Sequence, residues 1–216
     1  MSHATGCLLS INIARESMAQ NWTESGNRTG IHKISTPGPI RFADNCVQGD
    51  TVVDRKHHGG YDMAVYAYAR EDAVWWEAQI GREIVYGQFG ENLTTEGIDV
   101  TGALIGERWR IGEVLLEVSA PRIPCRVFSG FWDRPTLIKE FTEANRPGAY
   151  LRIIEEGTAA AGATIEVIYK PDHAITIGDL FAAKSGERSK ITEIAKVAEL
   201  SDSYREWAER VAQSAH

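Results

Sequence analysis

Cys125 stands in the run Ser119-Ala120-Pro121-Arg122-Ile123-Pro124-Cys125-Arg126. The thiolate, not the thiol, ligates metals and attacks electrophiles, and neighbouring positive charge favours it. Pro121 and Pro124 restrict the backbone on the N-terminal side. A soft sulfur on a stiff loop, with a guanidinium near it on either side, suits a thiophilic metal centre. The alternative is a small buried hydrophobe with no chemistry. Two further runs could complete a site. In Asp54-Arg55-Lys56-His57-His58-Gly59-Gly60-Tyr61-Asp62, the glycine pair lets the backbone approach a ligand and present N–H groups to an anion. Lys56 and Arg55 add charge, so this run fits a phosphate better than a metal; a solvated turn before a strand is the plainer reading. In Gly87-Gln88-Phe89-Gly90-Glu91-Asn92-Leu93, a tight turn could aim an amide and a carboxylate into a pocket, the amide able both to donate and to accept. The chain has no GxGxxG after a strand, no Walker phosphate loop, no GxSxG elbow and no HExxH helix.

These runs must be held by the elements around them. Residues 7–14, 51–54, 63–68, 108–111, 114–119, 149–154 and 165–169 read as short strands. The pair 108–111 and 114–119 is joined by Gly112-Glu113, a hairpin signal. Residues 71–79 form a helix with acidic residues at its start and Gly81 at its end, and 133–143 form a second. Many short strands, Gly-rich turns and few helices predict a mainly β barrel or sandwich. After Lys170-Pro171 the pattern changes to three helices, at 173–184, 188–200 and 203–213, with Ser203-Tyr204-Arg205-Glu206 as a capping box. The expected organisation is a β-barrel domain over 1–171 and a C-terminal helical extension over 172–216.

The 216 residues carry a formal net charge of −7, which argues against a nucleic-acid-binding face. Three cysteines (Cys7, Cys46 and Cys125) form no CxxC pair, so a disulfide scaffold is not expected and a reducing, cytoplasmic setting is. The N-terminus shows no signal peptide and no stretch reaches the length of a membrane span. Cys7 and Cys46 read as structural.

Taken in order, Lys56-x-His58-Gly59-Gly60-x-Asp62, Ala64-Val65-Tyr66-Ala67-Tyr68, Phe89-Gly90-Glu91-Asn92-Leu93-Thr94, Ile105-Gly106-Glu107 and Pro121-Arg122-x-Pro124-Cys125 resemble the MOSC family. The name comes from the C-terminal domain of molybdenum cofactor sulfurases. The resemblance covers about residues 45–170, and the tail around 172–180 resembles the stand-alone bacterial YiiM-like subgroup. It implies a β-barrel with a pocket for a molybdenum–pterin cofactor (molybdopterin). Cys125 would be the thiolate ligand to molybdenum and the catalytic residue, with Lys56, His58, Gly59, Gly60, Asn92 and Arg122 around the cofactor. It also implies an oxidoreductase acting on N-hydroxylated small molecules such as hydroxylamino purines and amidoximes. No cysteine set for an iron–sulfur cluster is present, so electrons would come from a separate flavin or iron–sulfur reductase. A non-catalytic carrier of the cofactor, or of a persulfide on Cys125, is the alternative. Oligomeric state stays open, a homodimer included. The chain departs from the family at Gly162-Ala163, Gly106-Glu107 and Tyr61, changes expected to alter turns and not chemistry.

Overall fold

A computed structural model describes residues 5–20, 22–23, 28–54 and 58–214. Its strands are β1 (Thr5–Ile13), β2 (Ile34–Ser35), β3 (Ile40–Ala43), β4 (Cys46–Val47), β5 (Val65–Ala69), β6 (Leu93–Glu96), β7 (Arg108–Ile111), β8 (Val114–Pro121), β9 (Ala149–Glu155), β10 (Gly157–Ala159) and β11 (Thr164–Tyr169). Its helices are α1 (Arg70–Ile80), α2 (Arg126–Phe131), α3 (Leu137–Ala144), α4 (Ile177–Lys184), α5 (Ile191–Ile194) and α6 (Asp202–Gln213).

Seven strands close a barrel in the order β11-β7-β8-β9-β5-β6-β1, and β1 returns to β11 through Thr5↔Glu166, Gly6↔Ile165 and Cys7↔Thr164. Every neighbouring pair is antiparallel except β5 and β6. A parallel pair needs a crossover, and α1 supplies it between the two strands. α1 ends where Gly81 adopts φ 75°, its N–H bonding the Glu77 carbonyl, a left-handed cap that glycine enters without strain. The β7–β8 hairpin turns through Gly112-Glu113, as expected, pairing Ile111 with Val114. β8 is buried on both faces along its whole length. One face looks into the barrel, and α4 of the tail packs against the strand. This explains a nearly continuous apolar run where alternation would mark a half-exposed strand. A small second sheet, β10-β3-β4, lies beside the barrel.

A chain of aromatic contacts ties the site loops to the tail. Phe89 meets Phe128 at 6.1 Å, Phe128 meets Phe141 at 5.1 Å, and Phe141 meets Phe181 at 6.1 Å between ring centroids. The backbone joins there too, in a bridge between Leu104 and Thr176.

Five local readings are corrected. The helix expected over 173–184 begins at Ile177, capped by Thr176, and the last helix is capped by Ser201, whose Oγ accepts from the Tyr204 N–H, not by Ser203. Residues 51–54 form no strand; they run irregularly along the barrel mouth. The helix expected over 133–143 begins only at Leu137. Asp133 takes φ 49°, and Pro135 disfavours helical geometry at the residue before it. The helix expected over 188–200 shrinks to Ile191–Ile194. Beyond it the Arg205 guanidinium captures the carbonyls of Val197, Ala198 and Leu200 at 3.1, 2.8 and 3.0 Å, which holds that segment in turns.

Candidate functional site

One end of the barrel holds a cavity of about 640 Å³, within the range of small-molecule and cofactor sites. Segments distant in sequence converge on it: Trp22, Thr23, Arg28 to Ile31 and Lys33 before β2, Thr51 to Asp54, His58, Tyr66 on β5, Gly90 and Asn92 before β6, Arg122 and Cys125 to Val127 after β8, and Tyr150 on β9. Cys125, Arg122, Asn92 and His58, singled out from sequence, all line it. Gly59 and Gly60 do not line it. Gly60 sits at φ 85° with nothing within 4 Å of where a Cβ would stand. Lys56 lies outside the described residues.

Cys125 precedes α2 with an extended backbone and makes no capping bond. Its side chain is half-buried, packing against the core on one side while lining the cavity on the other. It is therefore not sealed in hydrocarbon.

Arg122 is the most unusual group. It is 4 % exposed, yet among the described residues it makes no ion pair, and its Nε has no hydrogen-bond partner. Nη1 donates to the Phe89 carbonyl. The guanidinium stacks over Phe128 at 4.6 Å and Tyr66 at 5.2 Å. Burial opposes its charge, but Tyr66, Tyr150 and Cys125 around it outweigh that and hold the pKa above the usual arginine value. Gly90 makes room for it: a Cβ there would stand 3.3 Å from Arg122 Nη1 and 3.2 Å from Ile31, at φ 76°. Buried charges are normally paired, so an unpaired guanidinium facing a cavity points to an anionic ligand.

The turn around Gly90 is built by Glu91. Its carboxylate accepts from the Gly87 and Phe89 N–H groups at 2.6 and 3.0 Å and from Thr94 Oγ1 at 2.9 Å. Burial pushes this carboxyl up, against those bonds. It does not line the cavity, so the expectation of a carboxylate aimed into the pocket fails. The turn itself needs that group to satisfy its buried donors.

Sequence reasoning missed four contributors: Lys33, Asp50, Tyr66 and Tyr150. Lys33 is 8 % exposed and pairs with Asp50. Burial pushes its ammonium below the usual lysine range, while Asp50 opposes that. No sequence signal marked Lys33: in the structure Ile31, His32 and Lys33 alternate buried, exposed, buried, the period of an extended chain, but the residue types Ile-His-Lys carry no such alternation. Tyr150 Oη lies 2.9 Å from His58 Nδ1. Burial raises the Tyr150 phenol to about 12, against the pull of Arg122. Tyr66 is buried beside it and donates to the Pro147 carbonyl at 2.8 Å.

Among the described residues no group of three or more His, Cys, Asp or Glu side chains is arranged to hold a metal ion. A metal here would bring most of its ligands with it, leaving a single thiolate to the protein. Cys125, the orphaned Arg122 Nε and the cavity volume fit such a metal–organic anion.

Comparison with known proteins agrees with this architecture. The MOSC domain model matches residues 54–166, more than half of the chain. YflK of Bacillus subtilis is 28 % identical over 203 residues, covering 92 % of this chain and 90 % of that protein. YiiM of Escherichia coli is 30 % identical over 146 residues, 66 % and 65 % of the two chains. A Gibberella moniliformis protein named a reductase is 31 % identical over 147 residues, but only 26 % of its length takes part. The crystal structure of YiiM from Geobacillus stearothermophilus superposes with a TM-score of 0.79 at 27 % identity, over 95 % of this chain and 98 % of that one. With its closed barrel and a family match over more than half of its length, this chain belongs to the MOSC domain family.

Proposed function

We propose that this protein binds the molybdenum cofactor in the barrel-end cavity, with Cys125 as thiolate ligand, and reduces N-hydroxylated small molecules with electrons from a separate flavin or iron–sulfur reductase. One observation carries the reading: the Cys125 side chain and the unpaired Arg122 guanidinium share the same cavity. The MOSC family is associated with this cofactor in general, and one relative bears the name reductase.

When bound, the cofactor would supply two-electron oxygen-atom chemistry through its metal. The net reaction is R–NHOH + 2 e⁻ + 2 H⁺ → R–NH₂ + H₂O. The chain's own residues would then do four things. Arg122 would neutralise negative charge on the bound group. Tyr150 Oη and His58 Nδ1 share a proton at the cavity wall. Trp22, Val52, Met63 and Val127 line the remaining wall with apolar surface and exclude water. Cys125 provides a soft anionic ligand on a backbone fixed by Pro124.

The half-buried thiol also suits a persulfide or cofactor carrier. Two measurements separate the readings. Protein from a cofactor-competent host should contain molybdenum and pterin, and Cys125→Ala should lose most of the molybdenum while unfolding within about 1 kcal/mol of wild type. Equal molybdenum in the variant removes the ligand assignment. Turnover of a hydroxylamino purine with an added reductase supports the enzyme; a loaded protein without turnover supports the carrier.

A further inference from the structure

Asn92 belongs to the motif expected to touch the cofactor, yet its side chain is already engaged. Its Nδ2 donates to Asp50 Oδ2 at 2.8 Å and to the Asn12 carbonyl at 3.2 Å, and its Oδ1 accepts from the Tyr66 N–H at 3.1 Å. A primary amide has two N–H bonds, so no donor is left for a ligand. Asp50 is fixed from its other side by the Ala14 N–H, which donates to Oδ1 at 2.8 Å. The same Oδ2 that takes the Asn92 donor also holds the Lys33 ammonium. Lys33 lines the cavity, and Asp50 is the one hydrogen-bond partner of its Nζ among the described residues. An ammonium carries three donors. Two therefore remain on a buried cation that Asp50 holds at the cavity wall.

We propose that Lys33 is a ligand-contacting cation for a phosphate group, and that Asn92 is a positioning residue that acts on Lys33 through Asp50. The proposal deepens the cofactor reading and rests on it for the identity of the phosphate's carrier. Among the described residues, Lys33 and Arg122 are the two buried cations that line the cavity. Among the described residues Arg122 has no carboxylate partner and Lys33 has spare donors, and the two charges lie near enough to act on each other, so one tetrahedral anion suits both. Asn92, Asp50 and Lys33 come from three separate chain segments, and the order of action is set by where the donors run out: the amide ends on the carboxylate, and the ammonium does not.

The test uses the full chain made without cofactor and titrated calorimetrically with inorganic phosphate. Wild type is expected to bind. Lys33→Met is expected to weaken binding about tenfold or more, the scale of losing hydrogen bonds to a charged group, and Lys33→Arg to recover part of it. Asn92→Ser is expected to weaken binding several-fold in wild type but to have no further effect in Lys33→Met, since a residue acting through Lys33 has nothing left to act on. Asn92→Asp, which keeps the volume and turns a donor into an acceptor facing Asp50, gives the same coupling should the serine variant fold poorly. A spectrum of isotope-labelled lysine side chains should show the Lys33 ammonium resonance displaced in either Asn92 variant. Independent, multiplying effects of the two positions overturn the positioning role. Wild-type affinity in Lys33→Met, or no phosphate binding by wild type, overturns the site. Pterin content separates the sources of the phosphate: loss in Lys33→Met supports the cofactor's phosphate, and unchanged content with lost phosphate affinity overturns that assignment. A protein that shows the coupling yet never acquires molybdenum sinks the cofactor reading and leaves the Asn92–Asp50–Lys33 chain standing.

Discussion

Two buried arginines sit on this barrel and live differently. Arg152 on β9 is 6 % exposed, about as buried as Arg122 at 4 %. Its Nε donates to Asp62 Oδ1 at 2.7 Å and its Nη1 to Glu117 Oε1 at 2.8 Å, and Glu117 is held in turn by Arg108 Nε at 2.8 Å. Every charge in that network has an opposite neighbour, and its carboxylate Asp62 comes from the Gly-Gly-Tyr-Asp run. The aspartate of that motif therefore anchors the glycine loop to the barrel wall, a structural task. Arg122, just past β8, has among the described residues aromatic faces and one carbonyl but no carboxylate. The difference teaches how to read buried charge: a satisfied cation holds the fold, and an unsatisfied one facing a cavity waits for a ligand.

The largest expected effect breaks or keeps this contrast directly. Arg152→Met leaves Glu117 and Asp62 short of their partner and should cost about 3–5 kcal/mol in urea unfolding. Arg122→Met removes an unpaired charge and should leave the cofactor-free protein within about 1 kcal/mol of wild type, or more stable, while cofactor loading falls. Equal losses for the two variants would erase the distinction. Next comes Gly90→Ala, which forces a side chain into φ 76° and against Arg122. A cost of about 1–3 kcal/mol is expected from denaturant midpoints, and it should shrink in the Arg122→Met background, where the neighbour can yield. The third concerns alkaline pH. Tyr150 keeps its proton to about 12 in the folded protein, whereas an unfolded tyrosine releases it near 10. Between those values the unfolded chain binds fewer protons, so stability falls as pH rises. From pH 9.5 to 11.5 wild type should lose about 2 kcal/mol more than Tyr150→Phe. The smallest is remote from the cavity. Thr176 caps α4 in a reciprocal pair with Asp179, each bond 3.1 Å. Thr176→Ala should cost about 1 kcal/mol by thermal unfolding without changing molybdenum content.

What the sequence revealed divides along the same line. The Pro-Arg-x-Pro-Cys run was legible because its chemistry is local: a thiol, a guanidinium and two stiff residues within five positions. The hairpin at Gly112-Glu113 was legible for the same reason. Lys33 and Asp50 were not, because what makes them matter is the convergence of chain segments that the closed sheet alone brings together. Asn92 was noticed, and it does line the cavity, but its bonds were not legible. Sequence shows that an amide can donate, not that Asp50 and Asn12 have already taken both hydrogens. Glu91 was expected to face the pocket, and the turn's own N–H groups claimed it.

The pairing of Thr5 with Glu166 has a consequence for how this protein is made. Strands separated by most of the chain must meet before the wall is continuous, so sequence-distant contacts govern the rate of assembly. A nascent polypeptide still short of residue 164 has the thiol loop but no sealed cylinder behind it. Loading of any prosthetic group should accordingly wait until translation has passed the last strand.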